Sequence, residues 1–252
     1  MPPDANAAGT PTRIPRPPDA RPGRPAPWDD LSARERRGIG LTRLGDALDG
    51  AGRRLGYSTP PEPLDELSGV APETTAGLVD AAVLVAAFER DGEARVVLTR
   101  RAGHLRRHRG EIALPGGRRE PGEEPLAAAV REAHEEVDLD PGSVRPIAWL
   151  SPLVTFASGS LIRPFVATVD AEPALRADPS EVERVFDVAL AELLEEGVFH
   201  EERWRRTTPR PGADEDGSFP IFFYEVSGEV IWGATARILT ELLSIVVGVA
   251  AS

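Results

Sequence analysis

Cysteine is absent from the 252 residues. That excludes disulfides, thiolate zinc sites, iron–sulfur clusters and cysteine nucleophiles. Lysine and glutamine are absent as well, so all 29 basic residues are arginine. Without lysine there is no Walker A loop and no Schiff-base chemistry. Histidine is scarce, with only His104, His108, His134 and His200. No run reaches eighteen apolar residues, so no membrane-spanning helix and no membrane partner are expected. The N-terminal stretch has no apolar core of the secretory kind, and a cytoplasmic location is the default expectation. The net charge of −12 argues against duplex binding, and no nucleic-acid partner is expected. What remains for chemistry is carboxylates, arginines and a hard metal ion.

Hydrophobic residues make up 41% and charged residues 28%, ordinary values for a globular chain of one or two domains. Residues 1–30 are rich in proline and isolated arginines and show no periodicity, which reads as a disordered tail. Trp28 and Leu31 are the residues in that region able to pack onto a domain. Residues 31–55 carry apolar residues partly at helical spacing, read as one helix or two short ones broken by Gly38 and Gly40. Residues 56–78 read as a linker.

Ala81 to Phe88 and Arg95 to Leu98 are β-like runs joined by Asp91-Gly92, a hairpin signal. Residues 100–123 form a long arginine- and glycine-rich loop, and such loops within compact domains usually carry function. Residues 125–137 read as a helix with Pro125 in its first turn. Strands are expected at 144–150, 161–169 and 219–226. A helix is expected at 189–196, closed by Gly197, and a C-terminal helix packed on a sheet at 230–248, with Ile231, Ala234, Ile238, Leu242 and Ile245 at helical spacing. Strands mixed with a few helices, without a βαβ repeat, indicate the α+β class.

The chemistry concentrates in Arg131-Glu132-Ala133-His134-Glu135-Glu136. On a helix, positions i, i+3 and i+4 share one face, so Glu132, Glu135 and Glu136 point the same way. Three carboxylates together repel one another unless they are solvated or meet a cation. The hard divalent ions Mg²⁺ and Mn²⁺ select oxygen ligands of this kind. Upstream, Gly117 is followed after five residues by Glu123 and after seven more by Arg131-Glu132. From Arg95 to Arg119 there are eight arginines against one acid, a local +7 within an acidic chain. Such an excess suits an anionic, polyphosphate-like ligand.

The spacing of Gly117, Glu123, Arg131, Glu132, Glu135 and Glu136 resembles the Nudix box, matching six of its seven fixed letters, with Asp138 in place of the last glycine. The resemblance implies a mixed β-sheet sandwiched between α-helices and divalent-metal-dependent hydrolysis of a nucleoside diphosphate derivative. It implies Glu132 and Glu136 as the main metal ligands. Glu135 is implied either as a further ligand or in deprotonating water, and Arg131 as the residue that holds Glu123 or Glu132. Glu181, in Glu181-Val182-Glu183-Arg184-Val185-Phe186, is the candidate to complete the metal site or serve as base.

A second run resembles the signature of the coenzyme A diphosphatase branch. It comprises Leu98-Thr99-Arg100-Arg101, then Arg106 to Gly110, then Leu114-Pro115-Gly116-Gly117. Ala102, Glu111 and Leu114 depart from that signature at its substrate-linked positions. It implies Arg101, Arg106, Arg109, Gly116 and Gly117 as substrate-binding residues and a small coenzyme A-like nucleotide as substrate. Trp232-Gly233-Ala234-Thr235-Ala236 resembles the start of the terminal helix in the same branch and reads as close packing. The domain is expected over 79–250, after a tail (1–30) and a helical extension with linker (31–78). A homodimer is the assembly left open. The rival readings are hydrolysis of ADP-ribose, a dinucleotide or a nucleoside triphosphate, or a non-catalytic binding module.

Overall fold

The computed structural model describes residues 14–55, 77–105, 108–155, 159–205, 213–214 and 216–250. Among the described residues two sheets and three α-helices form an α+β arrangement. The larger sheet contains β2 (Val79–Arg90), β3 (Glu93–Arg101), β4 (Ile112–Ala113), β5 (Gly116–Arg118), β6 (Val144–Trp149), β7 (Leu153–Thr155), β8 (Ser160–Val169) and β9 (Val182–Ala189). It is mixed, because β2 runs parallel to β8 and antiparallel to β3 and β5. The smaller sheet has the order β1 (Arg21–Pro22), β10 (Phe199–Arg205), β11 (Ser218–Val226), β12 (Glu229–Trp232), all antiparallel. The helices are α1 (Leu41–Gly50), α2 (Pro125–Val137) and α3 (Gly233–Val247).

Strand β2 explains the layering. Its apolar run is continuous because both faces are covered. Ala82, Leu84, Ala86 and Phe88 pack with Ala128, Ala129, Ala133 and Val137 of α2. Val85 and Ala87 point the other way, into a core shared with Leu44 and Leu48 of α1 and Ile238, Leu239 and Leu242 of α3. The alternation is the two-residue period of a pleated strand. Small residues on the inner face of α2 let that helix lie close to the sheet, which brings its acidic face over β5. The Asp91-Gly92 hairpin forms as expected, with φ of 54° and 78°, the paired positive values of a tight hairpin turn.

The structure departs from several expectations. Residues 14–30 do not all behave as a disordered tail. β1 pairs with β10, and Trp28 is fully buried against Phe199 and Tyr224, with ring centroids 5.4 and 6.4 Å away. A proline-rich segment lacks internal periodicity yet can still line an aromatic face, and composition does not reveal that face. The helix of the 31–55 region starts after both glycines, with Gly40 as its extended N-cap. The expected helix at 189–196 is a single 3-10 turn, Glu192–Leu194. Ala189 is instead the last residue of β9, and the Leu190 N–H bonds the Ala94 carbonyl, so the edge pairing holds that stretch extended. The long loop contains the short strands β4 and β5. Residues 230–232 complete β12 before the terminal helix begins. The linker expected at 56–78 lies outside the described residues up to residue 76, as does the tail before residue 14.

Candidate active site

Helix α2 begins with Pro125 in its first turn and ends at Asp138, whose backbone is left-handed (φ 59°, ψ 29°). That conformation favours glycine, the residue the box resemblance expects there, and aspartate is among the side chains that tolerate it. The helix thus stops where the motif requires, and Glu132, Glu135 and Glu136 stay on one end of it.

Glu136 is the most buried of the three, only 4% exposed. Its Oε2 accepts the Gly116 N–H at 3.1 Å, and its Oε1 lies 3.4 Å from Arg101 Nη1. Burial pushes its carboxyl up to about 7, partly offset by the Gly116 bond and Arg101, while the charges of Glu181 and Glu132 add to the rise. Glu132 is also raised, first by burial, against the pull of Arg131 and with the push of Glu135 and Glu181. The charges that act on Glu132 and Glu136 thus come from Glu135, Glu181 and each other, which places the four carboxylates in one region of negative charge.

Two glycines make room for this cluster. Gly116 has φ of +150°, and a Cβ built on it would lie 2.4 Å from the Ala82 carbonyl oxygen and 2.6 Å from Val83 Cα. β5 therefore approaches β2 more closely than a side chain allows, which aims the Gly116 N–H at Glu136. A Cβ on Gly117 would meet Glu132 first, 2.4 Å from its carboxylate. The Glu132 carboxylate occupies the space a side chain at 117 would fill.

Arg131 does more than the single contact expected of it. Nε and Nη2 make a bidentate pair with Glu123 at 2.8 and 3.0 Å. Nη1 reaches Glu132 at 2.9 Å and Glu135 at 3.0 Å, and Nη2 also donates to the Arg118 carbonyl. Glu123 is pulled down to about 2 by Arg131 and by the Glu120 N–H. One guanidinium thereby fixes the loop preceding α2 to its acidic face.

Arg101, at the end of β3, sits between Glu136 and Glu181, with its Nη2 3.7 Å from Glu181. The Ala102 N–H donates to the Glu181 backbone carbonyl at 2.8 Å, and His104 Nε2 lies 3.0 Å from the Ser180 carbonyl, so the Glu181 loop is tied to the arginine loop. Glu181 and Glu135 are both half exposed at the rim. Arg109 is exposed, beyond Gly110 whose φ of +70° turns the loop back. Arg106 lies outside the described residues. His134 faces away, its Nδ1 3.1 Å from the Leu139 carbonyl.

The positive charge counted along the sequence is partly consumed inside the fold. Arg95 pairs with Asp187 and Glu192, and Arg119 with Asp80. Arg100, counted toward the ligand, is buried against Glu229 of β12. Sequence reasoning missed that pair because it joins strands 129 residues apart. The only signal was an arginine next to another in a strand, which must face opposite sides.

Among the described residues no three acidic or histidine side chains converge into a ready-made metal cage. The donor set nevertheless fits a hard divalent cation. Every candidate ligand is a carboxylate oxygen, two of them carry pKa values raised by burial that their cationic and N–H partners offset in part, and Gly117 leaves a cradle for Glu132. Arg131 and Arg101 supply the positive charge that the cluster requires.

Residues 78–208, more than half the chain, match the NUDIX domain family model. A Nudix hydrolase of Photorhabdus laumondii named NudL is 34% identical over 148 residues, covering 58% of this chain and 74% of the relative. Nudix hydrolase 22, chloroplastic, of Arabidopsis thaliana is 37% identical over 174 residues, covering 66% of this chain and 55% of that protein. The solved structure of RenU, a Nudix hydrolase from M. Smegmatis, aligns at 27% identity with a TM-score of 0.36, covering 45% of this chain and 72% of that one. Helix, glycine cradle, Arg131 clamp and family match agree: the chain belongs to the Nudix family and is a hydrolase of nucleoside diphosphate derivatives.

Proposed function

We propose that this enzyme hydrolyses the diphosphate bond of coenzyme A or an acyl-CoA, giving 3′,5′-ADP and 4′-phosphopantetheine or its acylated form, with Mg²⁺ or Mn²⁺. The observation that carries this reading is Arg101. It is the arginine of the substrate-linked signature, and it lies directly beside Glu136 and Glu181 at the mouth of the acidic cluster. Glu132 and Glu136 would hold the cation, with Glu135 beside them. When bound, a divalent cation neutralises the diphosphate, polarises a phosphoryl oxygen and lowers the pKa of the attacking water.

The protein's own groups do the rest. Glu135 and Glu181, both exposed at the rim, are the carboxylates to which we assign the proton from the water. Arg131 positions Glu132 and Glu135 and anchors the loop through Glu123. Arg101 and Arg109, with Arg106 from outside the described residues, receive the substrate phosphates, and the backbones of Gly116 and Gly117 shape the floor. A location in the cytoplasm and a small nucleotide partner, with a homodimer left open, belong to the same proposal. Among the described residues no helix is long and apolar enough to cross a membrane.

A second reading, another nucleoside diphosphate derivative, is favoured by the internal pairing of Arg95, Arg100 and Arg119, which leaves less free positive charge than the sequence count. Comparing kcat/KM for coenzyme A, an acyl-CoA, ADP-ribose, NADH and a nucleoside triphosphate separates the two. Preference for coenzyme A supports the proposal, and preference for any other substrate replaces it.

A further inference from the structure

The hairpin of the smaller sheet reaches across to the strands that carry the substrate arginine. Ser227 and Gly228 form its tight turn, with φ of 54° and 74°, and Glu229 is the first residue of β12 after it. The Glu229 carboxylate is nine-tenths buried. One oxygen accepts from Arg100 Nη1 on β3 at 2.5 Å, the other from Arg184 Nη2 on β9 at 2.9 Å. Arg100 and Arg184 are register partners, and the pairing of β3 with β9 shifts at the next step, with Arg101 opposite Val182, so that Glu183 is passed over. A bulge of this kind re-aims a neighbouring side chain. Here the residue beyond it is Arg101, which turns to the opposite face of the sheet, toward Glu136 and Glu181. A third tie comes from the same corner. Thr235 Oγ1, in the first turn of α3, donates to the carbonyl of Ile112 at 3.2 Å, and Ile112 is the β4 partner of Arg100.

We infer that Glu229 is a positioning residue for the reaction: it clamps the cross-strand pair Arg100 and Arg184 at the last regular step before the bulge and so fixes where Arg101 meets the substrate. Nothing in the box or in the arginine signature includes Glu229. The fold provides a physical reason for a charge there. Two adjacent arginines on a strand point to opposite faces, and the one facing the core needs a buried anion if the other is to face the ligand. The clamp links the second sheet to the site without touching the substrate.

The inference rests on the proposed role of Arg101, and the test separates the two. Removing Glu229 alone takes from the buried Arg100 its closest anion, leaving Glu183 at 3.6 Å, and risks the fold, so the informative variant is the neutral pair Arg100→Met/Glu229→Met, compared with Glu229→Gln, Arg101→Met and the triple variant. Steady-state kinetics use Mg²⁺ with coenzyme A and, separately, ADP-ribose, alongside thermal melts. Arg101→Met is expected to raise KM about tenfold, and the neutral pair to raise KM by a similar factor with kcat within about twofold and little loss of melting temperature. In the Arg101→Met background the neutral pair adds nothing further, because both act on the same contact. Glu229→Gln, which keeps hydrogen-bond acceptance on one side, falls between. A neutral pair with unchanged KM, or one whose effect adds fully to that of Arg101→Met, overturns the clamp while leaving the Arg101 reading intact. An Arg101→Met variant with unchanged KM on both substrates overturns the Arg101 reading and the clamp with it.

Discussion

Gly116 and Gly117 are neighbours, yet alanine at each should fail for a different reason. At Gly116 the new Cβ meets the Ala82 carbonyl oxygen at 2.4 Å and Val83 Cα at 2.6 Å, and the backbone sits at φ +150°. Neither obstacle is a flexible group, so β5 must move away from β2. Overpacking against backbone and an unfavourable φ together cost about 3–5 kcal/mol. For a domain of this size that lowers the melting temperature by roughly 10 °C. At Gly117 the nearest atoms to the new Cβ all belong to the Glu132 carboxylate, and φ is not in the left-handed region. A glutamate end can swing aside cheaply, so the melting temperature should shift by no more than about 2 °C. The displaced carboxylate no longer sits where the proposed metal site needs it, and metal-supported turnover should fall about 10–100-fold. Thermal melts and Mg²⁺-dependent hydrolysis of the two variants check both halves. A Gly117→Ala enzyme with turnover within twofold of wild type, or a Gly116→Ala protein that melts like wild type, would falsify the reasoning.

Other expectations follow from the same geometry. Glu136 has a folded pKa raised to about 7 from the usual value near 4.5, so without metal the folded state loses stability as pH rises between those values. The loss is about 3 kcal/mol, and denaturant melts in EDTA at pH 5 and pH 8 should show it in wild type but not in Glu136→Gln, which should keep its fold and lose turnover. Glu123, pulled down to about 2, contributes through Arg131 at all pH above the ordinary carboxylate range, and the benefit is lost as pH falls toward 2. The melting difference between wild type and Glu123→Gln should therefore be present at pH 6 and shrink below pH 3. Mg²⁺ at a hundredfold excess over its Kd should stabilise the wild type by about 3 kcal/mol and Glu136→Gln far less, as read by thermal shift. Trp28→Ala should destabilise by about 3–5 kcal/mol, because that ring is buried although it lies in the proline-rich N-terminal region; an unchanged melt would place it outside the core.

The carboxylate helix was legible because its information is local: Pro125 at the start, acids at i, i+3 and i+4, and a left-handed position at Asp138 all lie within fourteen residues. The β2–β3 hairpin was legible for the same reason, through Asp91-Gly92. The contacts that complete the site are not local. Gly116 matters because of the β2 backbone, Arg100 because of Glu229, and Glu181 because the Ala102 N–H holds its loop. A count of charge along the chain treats Arg100 and Arg101 alike, whereas the pleat sends one to the core and the other to the site. The N-terminal region misled for a related reason. Trp28 finds its partners Phe199 and Tyr224 about 170 and 196 residues away, a pairing that composition does not encode.

The most direct test incubates the purified chain with coenzyme A and Mg²⁺, Mn²⁺ or EDTA and quantifies 3′,5′-ADP and 4′-phosphopantetheine by chromatography and mass spectrometry, with Glu136→Gln in parallel. The account predicts equal amounts of both products with either metal, none in EDTA and none from Glu136→Gln. Products that persist in EDTA or in Glu136→Gln would contradict the proposed metal site. No products from coenzyme A, with turnover of another nucleoside diphosphate derivative, would contradict the substrate assignment built on Arg101.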